Sequence, residues 1–150
     1  MPASNKTKYV ICNNKKILSM NNTEDKMNLL IIEDSPLIVE RIQNIVSKFN
    51  EISVIGSVDT VKEAEEKILG MKPDVIILDI HLQDGSGLGL QYLISSKGLD
   101  IKTVILTNYS SPILQEKSFE MGAKYFLDKS NDFEKLSDVL NEIIKDNLLC

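Results

Sequence analysis

Met27-Asn28-Leu29-Leu30-Ile31-Ile32-Glu33-Asp34-Ser35-Pro36 decides how the chain is to be read. An unbroken apolar run from Leu29 to Ile32 ends on two carboxylates, and Ser35 and Pro36 then suit an N-cap and a first helical position. A strand that is apolar without alternation is what a parallel sheet covered on both faces requires. Ile38, Ile42, Ile45, Val46 and Phe49 follow at three- and four-residue steps, the spacing of a helix. The same alternation continues outward. Residues 52–55 predict a short strand ending at Gly56. Asp59 or Thr60 then caps a helix with Val61, Ala64 and Ile68 inward, closed by Gly70 and Pro73. Val75-Ile76-Ile77-Leu78 is a second buried run, followed by a polar, glycine-bearing loop and a helix from about Leu88 to Ser96. Residues 103–106 form a strand, Pro112 opens a helix that ends at Gly122, and Tyr125-Phe126-Leu127 makes a fifth strand. The last helix shows Phe133, Leu136, Leu140, Ile143, Ile144 and Leu148 on one face.

Five βα units with right-handed crossovers predict an α/β, doubly wound, five-stranded parallel sheet of the flavodoxin-like (βα)5 type, strand order 2-1-3-4-5. Ligands are expected beyond the carboxyl ends of the strands. This domain spans residues 27–150. Residues 1–26 form a basic leader, in which Tyr9-Val10-Ile11 and Lys16-Ile17-Leu18 around Asn13-Asn14 suit either a small hairpin or a flexible segment.

At 150 residues, 43% hydrophobic and 26% charged, the chain has room for one domain with a full core. Its apolar runs stop short of the roughly 18–20 residues that span a membrane, and no secretory h-region opens the chain. Two cysteines, Cys12 and Cys150, fit neither a disulfide framework nor a zinc site, so a cytoplasmic location is expected. The net charge of −5 is uneven. Residues 1–27 carry five lysines against Glu24 and Asp25, or +3, and the remainder carries −8 with Arg41 as its only arginine. A domain this acidic, almost without arginine, is a poor ligand for nucleic acid.

The predicted fold brings polar groups to one edge: Glu33 and Asp34 after the first strand, Asp79 after the third, Thr107 after the fourth and Lys129 beyond the fifth. Singly, each has an ordinary explanation: a helix cap, a strand threonine, a surface lysine. Together they describe a site. Three carboxylates in one crevice repel unless a cation compensates. Hard oxygens without Cys or a His cluster suit Mg²⁺. A carboxylate nucleophile beside a divalent ion, a hydroxyl and an ammonium group describes phosphoryl transfer to Asp.

These residues resemble the receiver domain of bacterial two-component response regulators, from about Met27 to Leu148. The matching motifs are Ile31-Ile32-Glu33-Asp34-Ser35, Val75-Ile76-Ile77-Leu78-Asp79, Asp84-Gly85-Ser86-Gly87, Val104-Ile105-Leu106-Thr107 and Tyr125-Phe126-Leu127-Asp128-Lys129. The resemblance implies that Asp79 is the phosphoacceptor. Glu33 and Asp34 would hold Mg²⁺ with Asp79 and the backbone carbonyl of His81. Thr107 would hydrogen-bond the phosphoryl group and Lys129 would pair with it. Thr107 and Phe126 would form the switch. The implied partners are a sensor histidine kinase or phosphotransfer protein and a downstream protein target. Self-phosphorylation and autodephosphorylation would be the only chemistry, so the chain is not expected to be an enzyme. Three positions depart from the family pattern: Gln83 and Ser130 stand where proline is common, and Asn108 stands where a small residue is usual. Ser130 leaves the cis peptide bond often found there without its proline.

Rival functions fit less well. Gly85-Ser86-Gly87-Leu88-Gly89 lacks the spacing of a dinucleotide turn and reads as a flexible loop. A flavodoxin-like ligand-binding module needs a phosphate loop where Glu33-Asp34 is anionic. A dehalogenase-type hydrolase needs a second acid two residues after the nucleophile, where His81 stands. A pseudo-receiver typically lacks one of the five groups. The chain ends some twenty residues after Lys129, so no output domain is expected: it would switch an interaction surface or, alternatively, serve as a phosphorelay shuttle.

Overall fold

The computed structural model describes residues 9–12, 15–18 and 26–149, with side chains from 26 to 148. Strands β1 (Tyr9–Cys12) and β2 (Lys15–Leu18) pair antiparallel with Tyr9 opposite Leu18. They are the segments read as a candidate hairpin; the rest of the leader before Lys26 lies outside the described residues, as does Cys150.

The domain then alternates: β3 (Met27–Ile32), α1 (Pro36–Val46), β4 (Ile52–Val58), α2 (Val61–Met71), β5 (Val75–Leu78), the two-residue strands β6 (His81–Leu82) and β7 (Gly85–Ser86), α3 (Leu88–Ser96), β8 (Lys102–Thr107), α4 (Pro112–Glu120), β9 (Tyr125–Asp128) and α5 (Leu136–Leu149). Five strands form one parallel sheet in the order β4-β3-β5-β8-β9. Counting only sheet strands, this is the order 2-1-3-4-5.

The unbroken apolar runs are explained by the two cores. Leu29, Ile31, Ile77, Val104 and Leu106 face Ile42 and Val46 of α1 and Leu136, Leu140 and Ile143 of α5. Leu30, Ile32, Ile76 and Leu78 face Ala64 and Ile68 of α2 and Leu90 and Ile94 of α3. Ile80, Ile105 and Ala123 make a third, much smaller cluster against Leu88, Leu114 and Phe126. Burying a large aliphatic side chain is worth roughly 1.5–3 kcal/mol, so the first two clusters hold the fold and the third holds little.

Several boundaries differ from the sequence reading. β4 runs through Gly56 to Val58 because Ile55 bulges: Leu29 pairs with Val54 and Leu30 with Gly56. α2 passes Gly70 and stops when Lys72 turns left-handed at φ 45°, its N–H bonding Ile68 C=O at 3.1 Å. Ser35 occupies the cap position of α1 without a side-chain cap bond; its own N–H donates to Glu33 Oε1 at 3.0 Å. Residues Phe133–Lys135 form a separate 3₁₀ turn before α5. No cis peptide bond occurs among the described residues.

The loop after β5, read as flexible, is fastened. Leu82 pairs with Gly85, and the Asp84 carboxylate accepts the N–H groups of Val61 at 2.6 Å and Lys62 at 3.2 Å. These bonds tie it to the start of α2. Among the described residues, no helix is long and apolar enough to cross a membrane.

Candidate functional site

β3 and β5 are neighbours, with Ile32 opposite Leu78, so the residues that follow them emerge together. Glu33 N–H bonds Val58 C=O at 2.9 Å and Asp79 N–H bonds Ile32 C=O at 2.9 Å, which extends the sheet's bonding one residue into the site. Glu33, Asp34 and Asp79 each place a carboxylate oxygen within 4.8 Å of the others. Glu33 and Asp79 are buried, at 3% and 5% exposure.

Two buried anions need a cation. Lys129, itself buried, supplies it: Nζ lies 2.6 Å from Glu33 Oε2 and 2.9 Å from Asp79 Oδ2. Burial alone would lower the Lys129 pKa, but hydrogen bonds to Glu33 and Asp79 and their charges override it and raise the value. For Glu33 burial wins. It lifts the carboxyl above its ordinary value against the bonds from Lys129 and the Ser35 N–H, and the charge of Asp79 adds to the rise. Lys129 is anchored by its backbone, whose N–H bonds Thr107 C=O at 2.9 Å.

Thr107 closes β8 and is fully buried; its Oγ1 accepts the N–H of Tyr109 at 3.3 Å. On the other flank, the His81 N–H donates to Asp79 Oδ1 at 3.3 Å, and the His81 ring lies 3.9 Å from that of Tyr109. Phe126 is half-buried on β9 and meets the Phe119 ring edge-on at 6.5 Å. Thus the fold brings Glu33, Asp34, Asp79 and Lys129 into one cluster, with Thr107 at the same sheet edge and Phe126 on the next strand.

Two participants were not assigned a role from the sequence. Gly87 donates its N–H to Ile80 C=O at 2.6 Å, and a Cβ there would sit 2.3 Å from Asp79 C=O. A glycine eight residues past a strand-ending carboxylate was the available signal. Asp128 accepts the Ser110 hydroxyl and the N–H groups of Ser130 and Asn131. Its signal was an acid ending an otherwise apolar strand.

Comparison with known proteins settles the family. A profile of the response regulator receiver domain matches residues 29–141. The chain belongs to the response regulator receiver domain family. It is 32% identical to the sensory transduction protein LytT of Enterococcus faecalis, over 80% of this chain and 49% of that protein. It is 29% identical to the uncharacterized transcriptional regulatory protein YvfU of Bacillus subtilis, over 79% of this chain and 60% of that one. This receiver chain therefore spans about half the length of the curated relatives it matches. Among solved structures, a LuxR-family DNA-binding response regulator from Staphylococcus aureus superposes with a TM-score of 0.71 at 25% identity, over 78% of this chain and 98% of that one. The receiver domain of a putative NarL regulator from Mycobacterium tuberculosis gives 0.73 at 22% identity, over 81% and 98% of the two chains, and supports the fold.

Proposed function

We propose that this receiver accepts a phosphoryl group on Asp79 and uses it to switch a protein-interaction surface. The observation that carries the reading is the buried Lys129 bridging Glu33 and Asp79 beside the half-buried Asp34. One ammonium against three carboxylates leaves the crevice anionic, which suits Mg²⁺ held by Glu33, Asp34, Asp79 and the His81 carbonyl. When bound, that ion neutralises charge on the carboxylates and on the incoming phosphoryl oxygens. Asp34 makes no hydrogen bond or ion pair to any described residue, so its oxygens are free to serve.

In the transfer, a carboxylate oxygen of Asp79 forms a bond to phosphorus while the donor's bond breaks. From a phosphohistidine the P–N bond electrons leave with the imidazole; from acetyl phosphate, acetate leaves. Lys129 then pairs with the new phosphoryl oxygens, and the Thr107 hydroxyl donates to another. The donors are a sensor histidine kinase or a phosphotransfer protein. Autodephosphorylation by water reverses the state.

The output surface is α4, β9 and α5. Among α4 residues only Ser118 is buried, and Ile113 is 80% exposed. Movement of Thr107 toward the phosphoryl group frees space for Phe126 and repacks this weakly held face around Tyr125. Incubation with acetyl phosphate and Mg²⁺ should add one phosphoryl mass, lost in Asp79→Asn and on chelation; equal labelling of that variant overturns the assignment. Beryllofluoride should shift amides of α4 as well as the pocket. Shifts confined to the pocket would favour the second reading, a phosphorelay shuttle without conformational output.

A further inference from the structure

Asp128 closes β9 and immediately precedes Lys129, and its carboxylate is a hub. Oδ1 accepts the N–H groups of Ser130 at 2.7 Å and Asn131 at 3.1 Å, and Oδ2 accepts the Ser110 hydroxyl. Its backbone exchanges two bonds with Asp132, N–H to Oδ2 at 3.0 Å and C=O from N–H at 2.8 Å. Asp132 also pairs with Lys135 at 2.9 Å. These contacts wind the chain after Lys129 into a turn. Proline at 130 would have no N–H to give, so this turn depends on Ser130.

The Ser110 bond is different in kind, because it crosses between loops. Ser110 lies three residues beyond Thr107, on the loop from β8 to α4. The two loops are also joined by Lys129 N–H to Thr107 C=O, but that bond merely continues the β8–β9 ladder. Ser110 to Asp128 is the tie that reaches the loop itself. Ser110 is exposed and Asp128 only half-buried, so the bond opens into water without stranding a buried polar group. Its Ser110 hydroxyl, then the Ser130 and Asn131 N–H groups, hold the Asp128 carboxyl below its ordinary pKa, in its accepting form.

We propose that Asp128 is a positioning residue and that its bond to Ser110 is a latch holding the β8–α4 loop, and through it Thr107, in the resting position. While the latch is closed, Thr107 Oγ1 stays with the Tyr109 N–H of the same loop. Turning that hydroxyl toward Asp79 releases Tyr109 and draws residues 108–110 with it, which parts Ser110 from Asp128. The latch thus biases the equilibrium toward rest. Its consequence for phosphorylation rests on Asp79 being the acceptor; the latch itself does not.

The test uses the full chain with Ser110→Ala, which removes the latch and leaves the turn, and Asp128→Asn, whose amide can keep the turn and donate back to Ser110. Without any phosphodonor, Ser110→Ala should speed hydrogen exchange at Tyr109 about two- to fivefold, the worth of one exposed hydrogen bond, and leave Ser130 and Asn131 unchanged. Its amide shifts should move part-way along the line joining the free and beryllofluoride-bound parent. Asp128→Asn should stay near the parent. Acetyl phosphate labelling of Ser110→Ala should rise by a similar factor. Unchanged exchange at Tyr109, or shifts off that line, overturns the latch. Failure of the parent itself to be labelled would overturn the acceptor reading, with the exchange result still deciding the latch.

Discussion

Asp34→Asn should make this protein more stable in the absence of divalent ions. The three carboxylates lie within 4.8 Å of one another, and Lys129 already engages Glu33 and Asp79. Two unit charges at that separation repel by ~3.5 kcal/mol at an effective dielectric of 20 and by ~0.9 kcal/mol in water. Asp34 feels two such repulsions, and the Lys129 charge offsets roughly one of them. Being half-buried, Asp34 sits between the two dielectric limits. One further term opposes the gain. Asp34 stands just before α1, where an anion at the helix N-terminus contributes about 0.3–1 kcal/mol. The net expectation is a stabilisation of about 1–2 kcal/mol, or roughly 2–8 °C in Tm for a domain of this size. Urea and thermal unfolding in EDTA measure it. The second arm adds Mg²⁺: saturation at 100 Kd should stabilise the parent by about 2.7 kcal/mol and the variant far less, so their order narrows or inverts. An Asp34→Asn protein no more stable than the parent in EDTA would refute the charge reasoning.

Apparent Mg²⁺ affinity should climb with pH, because burial holds the Glu33 carboxyl above its ordinary value and its proton competes with the ion; calorimetry showing a flat affinity as pH rises above the ordinary carboxylate range would contradict this. The same raised value means the folded state keeps that proton longer than the unfolded one, so in chelator Glu33 withdraws stability as pH rises through its folded pKa. Gly87→Ala should cost about 2–3 kcal/mol in urea and also slow labelling, since the new methyl meets Asp79 C=O at 2.3 Å and Leu78 Cδ1 at 2.9 Å, and backbone cannot step aside as a side chain can. Tyr109→Ala should hydrolyse its acyl phosphate faster than the parent or a Lys67→Ala control, if the Tyr109 ring, which lies against His81 beside Asp79, screens the acyl phosphate from water; equal decay of all three would end the screening idea.

What could be read from the sequence follows the physics of burial. Val75-Ile76-Ile77-Leu78 and Leu29-Leu30-Ile31-Ile32 announce themselves because both faces of each strand meet a core, and a carboxylate ending such a run must find a partner. Asp79 and Glu33 stood out on that ground, whereas Lys129, expected from the sequence to pair with a phosphoryl group, lies in the structure as the counter-charge to both. The Ile55 bulge was not. A single extra residue leaves no mark in a seven-residue strand whose side chains are half-buried on both faces. Gly70 misled for a related reason: glycine permits a left-handed stop without demanding one, and the helix stopped at Lys72 before Pro73 instead. The Ser110–Asp128 bond joins an exposed and a half-buried residue eighteen positions apart, and no periodicity encodes such a contact.

The weakness of α4 in the sequence has a different origin. Lys117 and Ser118 interrupt its apolar spacing, and in the structure Ser118 is the residue that turns inward, its hydroxyl returning to Leu114 C=O at 2.7 Å. A leucine or isoleucine there would add apolar burial worth roughly 1.5–3 kcal/mol and lock the helix onto β9. Instead Ile113 faces outward, Phe119 stays partly exposed and meets Phe126 only edge-on, and the cluster beneath reduces to Ile80, Ile105 and Ala123 with the half-buried Phe126 and Leu114. A helix held by so little can shift against β9 for a small cost, whereas α1 and α5 share the large core and cannot. The poor apolar face is therefore not noise in the pattern. It is the physical condition that the proposed movement of this helix with Thr107 requires.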